Sequence, residues 1–98
     1  MVNWHKIIGF DWDDGHVRKN VEKHSVGQAE AEQVFLNSPL LISSDGEHTL
    51  TERRWNALGN TSEGRTLHFT LTLRDDERRI RIISARDMKC KERKQYDQ

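Results

Sequence analysis

The stretch from Thr66 to Arg86 sets the tightest limit on what this chain can fold into. Leu67, Phe69, Leu71 and Leu73 alternate without a break with His68, Thr70 and Thr72, between Thr66 and Arg74. Strand side chains point to opposite faces in turn, so the pattern demands a strand with one face in a core and the other polar. Asp75-Asp76-Glu77 then reads as a turn, and Arg78 to Arg86 as a second strand, because branched Ile80, Ile82 and Ile83 recur within a short run. Strict alternation places Ile80, Ile82 and Ser84 on one face, and Arg79, Arg81, Ile83 and Ala85 on the other. Such a hairpin needs further strands beside it and a cover for its apolar side.

The rest of the chain supplies both. Ile7-Ile8-Gly9-Phe10 reads as a first strand, and Asp11 or Asp13 can cap the helix that follows. Val17, Val21 and His24 share one face of that helix. A second helix carries Ala31, Val34 and Phe35 and stops at Asn37-Ser38-Pro39. Leu40-Leu41-Ile42 reads as a strand, Ser43 to His48 as a polar connection, and Glu52 to Leu58 as another strand before the turn material Asn60 to Gly64. Met88 to Tyr96 reads as a charged closing helix. The order β-α-α-β-β-β-β-α with short turns predicts a single α+β domain over residues 1–98. It is expected to hold an antiparallel meander, two N-terminal helices on one face and a C-terminal helix.

The polar face of the meander carries the chemistry. Arginine is a flat fork of donors that matches phosphate oxygens and stays charged at any working pH. A face showing Arg79 and Arg81, with Arg86 beyond them, either meets a phosphate-rich partner or is a solvated face paired with Asp75, Asp76 and Glu77. The net charge is zero, yet residues 65–98 hold ten Lys and Arg against six Asp and Glu, while the preceding part holds six against ten. That asymmetry points to an anionic ligand on one side. No apolar run is long enough to span a bilayer, and the start of the chain reads as free of a secretory leader. The single cysteine, Cys90, excludes an internal disulfide and fits a reducing cytoplasm.

In order and spacing, these residues resemble the BrnT toxins of bacterial type II toxin–antitoxin systems, a branch of the RelE/ParE-like fold. The resemblance covers nearly the whole chain. It rests on Phe10-Asp11-Trp12-Asp13, Asn20, Lys23-His24, Ala31, Val34-Phe35, Glu52-Arg53-Arg54, Leu58-Gly59, Arg79 to Arg86, Glu92-Arg93 and Tyr96. Two departures stand out. Ser25 occupies a place where the family usually has Gly, and Gly27-Gln28 replaces a Ser cap and a Phe. The resemblance implies a toxin that cleaves RNA and arrests growth. It also implies a BrnA-like antitoxin with a ribbon-helix-helix part, assembled with the toxin as a heterotetramer that reaches operator DNA only through the antitoxin.

The chemistry expected of such a chain is attack of the RNA 2′-hydroxyl on the adjacent phosphate, with no metal and no cofactor. It needs donors where charge builds on phosphorus, and a proton acceptor. Arg86 and Arg81 are candidates for the charge, with Arg79, Arg74, Arg53 and Arg54 as substrate clamps. Lys23 and His24 either point at the same edge or simply close the first helix. Glu52 is either a base or half of a strand ion pair. His68 titrates near neutral pH on the polar face and is either a substrate-binding base or an ordinary exposed histidine. Tyr96 either serves the reaction or closes the core. Two alternatives remain: a non-catalytic binding module, and a ParE-like poison of DNA gyrase acting through protein contacts.

Overall fold

The computed structural model describes residues 3–45 and 53–97. A short 3-10 turn, Trp4–Lys6, precedes strand β1 (Gly9–Phe10) and helices α1 (Asp14–His24) and α2 (Gln28–Val34). Strands β2 (Leu41–Asp45), β3 (Arg54–Asn60), β4 (Thr66–Arg74) and β5 (Arg79–Asp87) follow, and α3 (Cys90–Tyr96) ends the chain. The sheet runs β1-β5-β4-β3-β2. The pairs β2–β3, β3–β4 and β4–β5 form the expected antiparallel meander.

The sheet is nonetheless mixed, because β1 pairs with β5 in parallel. No hairpin joins these two strands, so no turn forces them antiparallel, and β1 takes the edge that β5 leaves open. It is also shorter than the run Ile7–Phe10. Ile8 stands out in solvent, while its N–H donates to the carbonyl of Arg78, just before β5, and that of Asp11 to the carbonyl of Ile80 on β5. β3 starts later than expected and runs on through Gly59 and Asn60, whose partners are Leu67 and Thr66. Gly59 belongs there because α2 presses on it: a Cβ at this position would collide with the Val34 side chain. β2 extends to Asp45 through two serines, since a backbone ladder at a sheet edge needs no apolar side chains.

Asp13, rather than Asp11, caps α1, its Oδ1 accepting from the His16 N–H at 3.1 Å. The expected Val17–Val21–His24 stripe is not the buried contact: Val21 is exposed, and the buried residue of α1 is Asn20. Its Oδ1 accepts from the Ala85 N–H at 3.1 Å, covering the edge of β5 beyond the end of β1. Ser25 holds the left-handed conformation (φ 56°, ψ 36°) that glycine adopts without strain, so the bend survives the substitution. α2 begins at Gly27 without a side-chain cap.

Val26, Ala31 and Val34 close the main core over Trp55, Ala57, Leu67, Phe69, Leu71, Ile80, Ile82 and Ala85. Leu58, Met88 and Tyr96 form a smaller cluster. Leu58 lies between Ala57 and Gly59 on β3, so α3 packs on the face opposite that core. Among the described residues no helix is long and apolar enough to cross a membrane.

Candidate functional site

Strict alternation along β5 would turn Arg86 toward the core with Ile80 and Ile82. The structure corrects it. Leu71 pairs with Ile82 but Thr70 pairs with Ser84, so Ile83 is one residue more than β4 can match. This bulge shifts the phase of the strand. Ala85, not Ser84, joins Ile80 and Ile82 in the core, and Ser84 and Arg86 turn to the α3 side. That face then carries Arg54, Asn56 and Leu58 from β3, His68, Thr70, Thr72 and Arg74 from β4, and Arg79, Arg81, Ser84 and Arg86 from β5.

The face is not uniformly open, and its arginines do not converge. Arg79 Nε lies 3.4 Å from Asp75 at the hairpin end, where Arg74 is its cross-strand partner. Arg81 Nη2 donates to Asp11 Oδ2 at 3.0 Å, and its Nε is buried without a partner in the described structure. The seven steps from Arg79 to Arg86 span about 23 Å at a strand's rise per residue. They form a track along the sheet rather than a clamp on one phosphate.

Chemistry concentrates at the other end of the track. His68 and Arg86 are directly opposed across β4 and β5. Glu92, on the first turn of α3, closes over both. Arg86 Nη1 and Nη2 donate to its two carboxylate oxygens at 2.8 and 2.9 Å, and Lys89 N–H donates to Oε1 at 2.8 Å. These bonds, the Arg86 pair first, hold the Glu92 carboxyl down at about 2 and raise the Arg86 guanidinium above its usual range. A further Arg86 Nη1–H donates to the Asp87 carbonyl. The Nε–H and the outer Nη2–H, which form the side-on edge of the fork, have no acceptor among the described residues.

His68 Nε2 lies 3.8 Å from Glu92 Oε2, and its Nδ1 is buried without a partner in the described structure. Burial first, then the positive charge of Arg86, lower its proton affinity below the ordinary histidine value, against the pull of Glu92. A neutral imidazole, one nitrogen of which is always a proton acceptor, therefore stands beside a guanidinium edge. A groove of about 360 Å³ opens here, lined among others by Leu41, Asn56, Leu58, His68, Glu92 and Gln95.

The other expected residues lie elsewhere. Arg53 is on the opposite face, its guanidinium 5.0 Å from the centre of the Trp55 ring. Arg54 shares the groove face and is half-buried. Lys23 is exposed at the end of α1, and the His24 carbonyl accepts from Arg65, so neither is a partner of Arg86. Tyr96 is buried, its hydroxyl donating to the Pro39 carbonyl at 2.6 Å and accepting from Asn60 at 2.7 Å. Glu52 and His48 fall outside the described residues. Glu92 was visible in the sequence only as a member of a motif. A carboxylate one turn into a helix just past Arg86 is the signal that marks it as a partner.

The family model that describes the ribonuclease toxin, BrnT, of type II toxin–antitoxin systems matches residues 12–92 of this chain. The chain belongs to that family. No curated protein matches it. A BrnT toxin of a type II system works against a protein antitoxin, so a protein partner is part of its biology. Both ends of the matched span carry weight here: Trp12 Nε1 donates to Glu32 of α2, and Glu92 holds Arg86.

Proposed function

We propose that this BrnT toxin is a metal-independent endoribonuclease of RelE/ParE-like fold that cleaves RNA at the His68–Arg86 pair. In this reading a phosphate seats on the free side-on edge of Arg86, where donors already aimed at the developing charge need no rearrangement. Glu92 does not compete for that edge. It grips the end of the guanidinium and fixes its plane. His68 accepts the proton of the ribose 2′-hydroxyl, whose oxygen attacks phosphorus. The bond to the 5′-oxygen breaks, that oxygen takes a proton from water at the mouth of the groove, and a 2′,3′-cyclic phosphate remains. The nucleophile comes from the RNA itself, so the step requires no metal-activated water. The observation that carries the reading is a histidine, its proton affinity lowered by burial and by Arg86, directly across the strand pair from an arginine with two N–H groups to spare. The arginine track toward Arg79 and Arg74 would hold the RNA on one side of the cut.

In the cell the toxin acts in the cytoplasm and inhibits translation. A BrnA-like ribbon-helix-helix antitoxin covers the groove within a heterotetramer and reaches operator DNA itself. The test is incubation of antitoxin-free toxin with RNA. Cleavage that survives a chelator, leaves cyclic-phosphate ends and disappears in Arg86→Ala is expected, and rising salt should weaken RNA binding steeply. Intact RNA beside persistent toxicity would overturn the reading in favour of a protein target.

A further inference from the structure

One transverse row of the sheet runs Leu41–Leu58–His68–Arg86, each residue directly opposite the next across β2, β3, β4 and β5. We propose that this row is a nucleotide-length ruler, and that its apolar end is a nucleobase pocket selecting the nucleotide on the 5′ side of the cut. The inference rests on the ribonuclease reading above and adds to it a determinant of sequence preference.

Three observations carry it. The first is spacing. Neighbouring strands lie about 4.8 Å apart, so Leu58 is about 10 Å from Arg86, about the reach of one nucleoside from its phosphate, and Leu41 lies one strand beyond it. With phosphate on Arg86 and the ribose hydroxyl at His68, a base that follows the row lies over Leu58 toward Leu41. The second is surface. Leu41 is 42% exposed although it adjoins the nearly buried Leu58, which leaves an apolar floor open to solvent at the groove's end. Flat aromatic bases bind such floors through their faces.

The third is the rim. Asn56 lies in the next row of the same face, opposite Thr70, whose hydroxyl donates to its Oδ1 at 3.4 Å and so orients the amide. Gln95 enters the groove from α3, one turn beyond Glu92. Two carboxamides on the rim of an apolar floor offer donors and acceptors to the edge of a base, which is how single-stranded RNA is read. A base with one donor and one acceptor side by side is their match.

The experiment uses the full-length toxin freed of antitoxin and a pool of RNA with randomised sequence, with the cut ends mapped. Wild type should favour one or two bases immediately 5′ of the cut by about 10-fold, the discrimination of one paired contact. Asn56→Leu and Gln95→Leu should each flatten that preference while total cutting stays within about 10-fold. Gln95 is exposed, so its variant keeps the test open if Asn56→Leu does not fold. Preference unchanged in both variants, or none at that nucleotide in wild type, overturns the inference. A second arm titrates the four nucleoside 3′-monophosphates and follows amide signals of Leu41, Asn56, Leu58 and Gln95. Signals that move while RNA stays uncut keep the pocket and remove the reaction; signals that stay still remove the pocket.

Discussion

Two guanidinium groups meet carboxylates from opposite sides of the same end of the sheet. Arg65 leads into β4 on the core side, and Arg86 sits near the end of β5 on the α3 side. Their side chains are similarly shielded, 28% and 23% exposed, so burial does not separate them. Occupancy does. Arg65 donates to both oxygens of Asp87, to Glu30 and to the carbonyls of His24 and Ser25. All five of its N–H groups are engaged, and it ties the α1–α2 junction to the sheet. Arg86 uses three, and its neighbours His68 and Glu92 line a groove. A saturated arginine is a fastener, whereas an unsaturated one beside a histidine is a candidate site. Proximity to acidic residues in sequence distinguishes neither.

Substitutions can break this contrast. Arg86→Ala should cost about 10²–10³-fold in RNA cleavage, the usual loss for a donor aimed at developing charge, with a far smaller effect on melting. His68→Ala should cost about 10²-fold. In wild type, activity requires the unprotonated imidazole, so kcat/KM should climb with pH through an apparent value below 6.5 and level off by neutrality. NMR titration sharpens the point: the His68 midpoint should rise in Arg86→Ala and stay put in Arg65→Ala. Conversely, Arg65→Ala should destabilise the fold by about 2 kcal/mol in chemical denaturation, with cleavage by the remaining folded protein intact. If Arg65→Ala silenced the enzyme at unchanged stability, the two roles would have to be exchanged. The smallest effect expected is Ser25→Gly, which relieves a left-handed serine at the same junction and should stabilise by about 1 kcal/mol without touching cleavage.

Much of the architecture was legible in the residues themselves. The alternation from Leu67 to Leu73 set β4 and its inner face, and the turn at Asp75 set the β4–β5 hairpin. What escaped were features without a periodic signature. The parallel pairing of β1 comes from a vacant edge, not from any pattern in Gly9-Phe10. Asn20 is polar and yet the buried residue of α1, because its task is a hydrogen bond to Ala85 and not apolar contact. At the candidate site, sequence reasoning put Arg86 and Arg81 ahead of Arg79 and Arg53, but could not separate Arg86 from Arg81 or tell His68 from an ordinary exposed histidine. Which donors remain free depends on distant acceptors such as Asp11 and on the Trp55 ring, and spacing along the chain does not reveal those. The same limit hid Arg65, whose partners come from α1, α2 and β5.

The extra residue at Ile83 has a consequence for how such toxins lose or keep their potency. Everything in β5 after it is half a pleat out of step with everything before it. Regular alternation with Ile83 kept in the ladder would send Arg86 inward and Ala85 outward, whereas deletion of Ile83 would close the ladder without a bulge and leave Arg86 opposite His68. The register of one strand, more than the identity of any nearby side chain, therefore sets whether the guanidinium lies on the α3 side of the sheet or in the core. Comparisons among relatives should count strand length from Ile82 before counting arginines.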